Sequence, residues 1–408
     1  MKPYIFISTI FLLFLSASLL NNLGYSITDE NAPLYYKFHP SFLLMFLLMI
    51  YYLFSNLASK NMDIVRIYAK KKDEFHFLLF LFILVIYIYI MKLHGAISFI
   101  PNTLILPLFF SILLNRNDVC FLERLRKLIL IFFIVNSSMA ILEMLLQYRL
   151  IPVFGYRFEH FRSSALQGHP LNNALITSVI MAFILTSAMK EYWKQLFMLL
   201  GLCSLICYGA RAAVFTWGVM LPMYMLFFKS KIKLQRITHE KILRISTIII
   251  IVIVAVFLIT QTPYGARIQD MGNMDDDSAT ARLLALDFFK NLTIQDTFLG
   301  APSATMAIYQ DYLGVDIIEN FWIAWIIRFG LIMTLLLTFF FIKFLYNNVK
   351  NFGRFSSLFI LLVFLAIASS NNSLATTTPV VSIYILCAYS FNPLLILHQR
   401  HRLKFTRF

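Results

Sequence analysis

Arg162 stands six residues ahead of Gly168-His169-Pro170, and Asn172 and Asn173 follow at once. A guanidinium offers a planar fork of donors that matches phosphate oxygens two at a time. Gly168 lets the chain turn sharply, and Pro170 fits the first turn of a helix because the N–H it lacks would have no helical partner there. The stretch therefore predicts a helix beginning near residue 170, with its positive dipole end, His169, Asn172, Asn173 and Arg162 gathered in front. That set suits a phosphate or pyrophosphate group. Taken alone, it reads rather as a helix cap with interfacial polar side chains.

Further candidates lie downstream. Arg211 sits in the stretch "CYGARAAV", residues 207–214, where two apolar runs must reverse direction within a few residues. Its alternative role is a snorkelling charge on a hairpin packed through Gly209, Ala210, Ala212 and Ala213. Arg282 falls on an amphipathic helix expected over 279–291 with Asp277 or Ser278 as N-cap, and Asp275, Asp276 and Asp277 read as a solvated cap rather than a metal site. Glu319 opens "ENFWIAWIIRFG" and Gly330 closes it. Their spacing is about three helical turns, which puts both on one face of a helix. Glu143 and Arg328 are the other charges expected at membrane depth, where an ionisable group is a functional candidate by default. Arg328 falls on the face opposite Glu319 and reads as structural.

The elements that must position these residues follow from composition. The 408 residues are 60% hydrophobic and 13% charged, with 42 Phe and a mean hydropathy of +0.76. Those values lie outside the range of soluble domains and describe an all-α polytopic integral membrane protein. Apolar runs near 3–20, 41–56, 76–92, 97–114, 128–148, 171–189, 196–209, 213–228, 245–260, 320–346, 355–368 and 379–397 predict about 12 transmembrane helices in a single bundle over 1–408. The first run is retained as a span because "NNLGYSITDE" after it has no small-x-small cleavage site.

With the amino terminus placed inside, 25 of the 35 Lys and Arg fall on cytoplasmic segments. This excess fixes the expected orientation, with both termini cytoplasmic. The formal charge of +15 then reflects membrane insertion and calls for no nucleic acid. The outer face carries segments 21–40 and 149–170 and a large extracytoplasmic loop, 261–318, between helices 9 and 10. Basic residues on the outer side are mostly Arg, namely Arg149, Arg157, Arg162, Arg211, Arg267 and Arg282. Cys203, Cys207 and Cys387 fall in spans and Cys120 in a cytoplasmic loop, so neither a disulfide nor a metal cluster is indicated. The chain has no Walker loop, dinucleotide fingerprint, zinc spacing or internal repeat.

In order along the chain, R-x5-G-H-P-x-N-N at 162–173, G-A-R-A at 209–212, S-x3-R at 278–282 with Leu299-Gly300, and E-N-x-x-I-x6-G at 319–330 resemble the O-antigen ligase and polymerase family. The resemblance covers roughly residues 125–395. Ligases of that family carry His where this chain has Glu319, a departure that favours the polysaccharide polymerase branch over a ligase acting on lipid A core. The family resemblance implies a metal-independent, cofactor-free inverting glycosyltransferase on the outer face of the bacterial cytoplasmic membrane. It implies an undecaprenyl-pyrophosphate-linked oligosaccharide as donor, membrane lipid around the site, and a flippase and chain-length regulator of the same pathway as partners. Arg162, Arg211 and Arg282 would share the pyrophosphate charge, helped by His169. Arg157, Asn172, Asn173 and Asn320 would bind substrate. Glu319 would act as base, with His169 and His160 in reserve. A transporter or lipid flippase with 12 spans is the rival of another class, though such folds usually show two related halves, which this chain lacks.

Overall fold

The computed structural model describes residues 1–25, 37–58, 68–69, 71–93, 99–116, 118–151, 161–225, 287, 289–302, 304–305, 308, 318 and 320–393. Among them no strand occurs, and the protein is an all-helical, membrane-associated bundle. The main helices are α1 (Lys2–Phe14), α2 (Ala17–Asn22), α3 (Pro40–Ala58), α4 (Lys72–Ile90), α5 (Leu106–Leu113), α6 (Val119–Leu146), α7 (Pro170–Thr186), α8 (Glu191–Cys207), α9 (Arg211–Met223), α10 (Ile294–Leu299), α11 (Phe321–Val349), α12 (Arg354–Ala368) and α13 (Val380–Ser390). Among the described residues, three helical stretches, Lys72–Ile90, Val119–Leu146 and Phe321–Phe352, are long and apolar enough to cross a membrane. Shorter apolar helices accompany them. The expected run 245–260 and the large loop over most of 261–318 lie outside the described residues.

Helices α7 and α13 are apolar on every side and accordingly sit at the centre, buried along nearly their whole length. Around them α4, α6 and α11 turn large apolar side chains outward, among them Leu79, Phe82, Ile131, Leu145, Leu335 and Phe339. Contiguous exposed apolar surface of this kind marks contact with a nonaqueous phase.

Polar contacts gather at the two ends of the bundle. At one end Lys2 pairs with Asp118, and Lys71 Nζ donates to Tyr389 Oη and Ser111 O at 2.6 Å each. Lys343 meets Asp73 at 2.7 Å, and Arg116 donates to Asn348 O at 2.9 Å. At the opposite end His39 N–H donates to Asn102 Oδ1 (3.0 Å), Gln167 Nε2 to Leu13 O (2.7 Å) and Thr103 Oγ1 to Thr376 O (2.9 Å).

Several expected spans change shape. The 3–20 run breaks at Ser16, whose Oγ caps α2 by accepting from Leu19 N–H at 3.2 Å. The 97–114 run opens with a π-helical turn, Ile100–Ile105, and Pro101 and Pro107 explain why regular α-helical bonding stops there. Helix α6 begins at Val119, well before residue 128, because Glu123, Arg124, Arg126 and Lys127 continue the helix as a polar extension of the apolar run. The run 320–346 forms a helix close to the expected bounds, with an unexpected break inside it. Helix α11 starts only after Asn320, and at Gly330 it is interrupted by φ 79°, ψ 161°. The expected pairing of residue 319 with Gly330 on one helical face involves a position outside the described residues.

Leu299-Gly300-Ala301, at the C-terminal end of α10, fills the break. Ala301 N–H donates to Ile327 O at 2.9 Å, and Tyr87 Oη donates to Leu299 O. A Cβ on Gly300 would lie 2.7 Å from Arg328 O and 3.0 Å from Gly330 N. Two segments far apart in the chain thus interlock through paired glycines, with a freed backbone carbonyl satisfied inside protein.

Candidate functional site

The residue 170 helix start holds as the local sequence requires. His169 is the N-cap of α7, Pro170 occupies its first turn, and Gly168 has φ 71°. The side-chain position denied to Gly168 is filled by Ser18 of α2. The reversal at 207–214 is equally tight: α8 ends at Cys207, Gly209 takes φ 62°, and α9 begins at Arg211.

These two turns meet. Ser163 N–H donates to Cys207 O at 3.1 Å, which fastens the segment after Arg162 to the hairpin that carries Arg211. Asn136 of α6 ties the same pair from beneath, with Nδ2 donating to Tyr208 Oη at 2.9 Å and Oδ1 accepting from Leu166 N–H at 3.1 Å. In front of this junction lies a cleft of about 40 Å³ lined by Arg162, Leu171, Ala174, residues 209–213, Ile367, Ser370 and Asn371. Arg162 and Arg211 therefore line one cavity although 49 positions separate them in sequence. Its wall includes the first turn of α9, where the helix dipole favours negative charge.

The polar run "SSNNSLATTTP", residues 369–379, supplies the third wall. Asn371 is buried and structures this turn, its Oδ1 accepting from Ser373 N–H at 2.9 Å and its carbonyl from Phe321 N–H at 3.1 Å. Sequence reasoning missed this segment. Its signal was a row of uncharged polar residues between two apolar helices, which carries little weight beside arginines.

The remaining expected site residues separate into distinct jobs. Asn172 Oδ1 accepts from Ser373 Oγ at 2.5 Å and so bridges α7 to the 369–379 turn. Asn173 is wholly buried, and its Nδ2 donates to Ser164 O and to His169 O, which shapes the turn before α7. Asn320 caps α11, its Oδ1 accepting from Trp322 N–H at 2.9 Å, and Trp322 Nε1 reaches Ser369 Oγ at 2.8 Å. Asn173 and Asn320 thus hold backbone in place. Arg328 donates to Ala375 O at 2.8 Å, in keeping with its structural reading. Arg157, His160, Arg282 and Glu319 lie outside the described residues.

His169 is half-buried as a residue, and its ring Nδ1 is enclosed. Burial pushes its imidazole down to about 4 from 6.5, so the ring is neutral at pH 7 and brings hydrogen-bonding capacity rather than charge to the cleft region. Between pH 6.5 and about 4 the unfolded chain binds the proton that the fold refuses. Stability is therefore full above pH 6.5 and declines as pH falls through that window. The melting temperature of the purified protein should fall more steeply from pH 6.5 to 4.5 than that of His169→Gln. Parallel slopes would place the ring in solvent.

No family model, curated protein or solved structure matches this chain. The fold and site define a helical, membrane-associated protein with an arginine-lined cleft at one end of its bundle.

Proposed function

We propose that the protein polymerises lipid-linked oligosaccharide repeat units as an enzyme of the O-antigen ligase and polymerase family. The observation that carries this reading is the convergence of Arg162 and Arg211 on one cleft. In this proposal a glycan on undecaprenyl pyrophosphate is the donor. A sugar hydroxyl of a second lipid-linked repeat unit attacks the anomeric carbon from the side opposite the pyrophosphate, a new glycosidic bond forms, and undecaprenyl pyrophosphate leaves. Two guanidinium forks stabilise charge gathering on the leaving group, and Glu319 accepts the hydroxyl proton. The product is O-antigen, capsule or another exopolysaccharide.

The reading includes twelve spans in the bacterial cytoplasmic membrane, both termini inside and the cleft outside. The clustering of Lys2, Lys71, Arg116 and Lys343 at the bundle end remote from the cleft supports that orientation. Interrupted helices also occur in transporters, where they line substrate sites. Here the interruption at Gly330 is plugged by Leu299-Gly300-Ala301, which favours the enzyme.

Surface polysaccharide from cells lacking the gene tests the proposal. The expected outcome is loss of the long ladder with single repeat units still attached to their acceptor, restored by the wild-type protein. Long chains accumulating on the carrier lipid would instead identify a ligase, and repeat units trapped inside the cell would identify a transporter.

A further inference from the structure

Glu143 lies on α6, is wholly buried, and accepts three hydrogen bonds from residues 163–165 and a fourth from Leu150. Its Oε2 takes Ser163 Oγ at 2.6 Å and the N–H groups of Ser164 and Ala165 at 2.9 Å each, while Oε1 takes Leu150 N–H at 2.9 Å. Ala165 holds φ 38°, an uncommon left-handed conformation for a residue with a Cβ. A carboxylate is suited to gathering consecutive N–H groups around one oxygen, and the bonds it accepts are stronger than those to a neutral oxygen. Asn136, seven positions earlier, lies on the same stripe of α6 and holds Leu166. Arg162 directly precedes the three residues that Glu143 grips, and its carbonyl accepts from Arg149 Nε at 3.3 Å.

We infer that Glu143 is the positioning residue of the arginine cleft: its carboxylate folds residues 163–165 into a turn that aims Arg162 beside Arg211. This rests on the cleft binding an anion, as proposed above. Glu143 has no contact with the cleft and acts entirely through the backbone that follows Arg162. Replacing it with Gln keeps the volume but puts an amide donor where the carboxylate accepts N–H groups on both sides. The turn then loses part of its support, and Arg162 loses its fixed direction.

The test is the affinity of the full-length protein, in lipid nanodiscs, for inorganic pyrophosphate. Arg162→Ala weakens binding. Glu143→Gln weakens it by roughly tenfold, the scale of one lost charge-assisted hydrogen bond. Adding Glu143→Gln to Arg162→Ala produces little further loss, because both act through one guanidinium. A residue needed only for general stability would lower affinity equally in both backgrounds, and that additivity would overturn the inference. Wild-type affinity in Glu143→Gln beside weakened Arg162→Ala overturns the positioning role and leaves the anion cleft intact. Equal pyrophosphate binding by wild type and Arg162→Ala, or none by either, overturns both. If Glu143→Gln does not fold, Ser163→Ala removes only the 2.6 Å hydroxyl contact and replaces it in the same cycle. A smaller loss confined to the Arg162 background supports the inference, and unchanged affinity overturns it.

Discussion

Arg211→Lys should slow chain growth by about 10² to 10³, the usual cost of removing one donor that stabilises transition-state charge. The substitution keeps the positive charge and removes the planar fork. Arg211 stands at the first turn of α9 and shares its cleft with Arg162. Two forks facing one space can divide the oxygens of a pyrophosphate between them, whereas an ammonium contributes a point charge without that directionality. The rate is best read on purified protein in lipid vesicles supplied with lipid-linked repeat units, with the amount of folded protein matched between forms. Activity equal to the wild type would make Arg211 a packing residue of the α8–α9 hairpin.

Gly330→Ala should cost about 3 to 5 kcal/mol and leave little folded protein. Two penalties add. The backbone at φ 79°, ψ 161° lies in a region that residues with a Cβ avoid. The added carbon would also meet Phe298 O, and it would lie 2.5 Å from the carbonyl carbon of Leu299 and 2.6 Å from Gly300 N. All three are backbone atoms, so no rotamer change relieves the clash. Gly218→Ala provides the contrast, since nothing lies within 4 Å of its Cβ position. Detergent-resistant folded yield and melting temperature distinguish the two. A Gly330→Ala protein as stable as the wild type would mean that α11 runs straight through this position.

Much of the bundle was legible because its signals are local. Pro170 after Gly168 fixed the start of α7, and the small residues around Arg211 fixed a turn between α8 and α9. Arg162 and Arg211 could be placed on one side of the protein from the alternation of apolar runs, before any contact between them was visible. Other features depend on partners distant in sequence. Glu143 reads from sequence as a charge at membrane depth, and three of its four donors come from the returning turn at 163–165. The interruption at Gly330 is stable because Ala301 answers the carbonyl of Ile327, a match invisible to helical periodicity. Asn371 carries no signal in the sequence because its value lies in where α12 and α13 bring it, into the wall of the cleft that Arg162 and Arg211 also line.

The most direct measurement of the central claim is product analysis of the purified protein in lipid vesicles, given undecaprenyl-pyrophosphate-linked repeat units alone. The account predicts glycans of two and more repeats on the carrier lipid, with one undecaprenyl pyrophosphate released for every bond formed. Repeat units recovered unchanged by active, folded preparations, or moved across the bilayer without elongation, would contradict it.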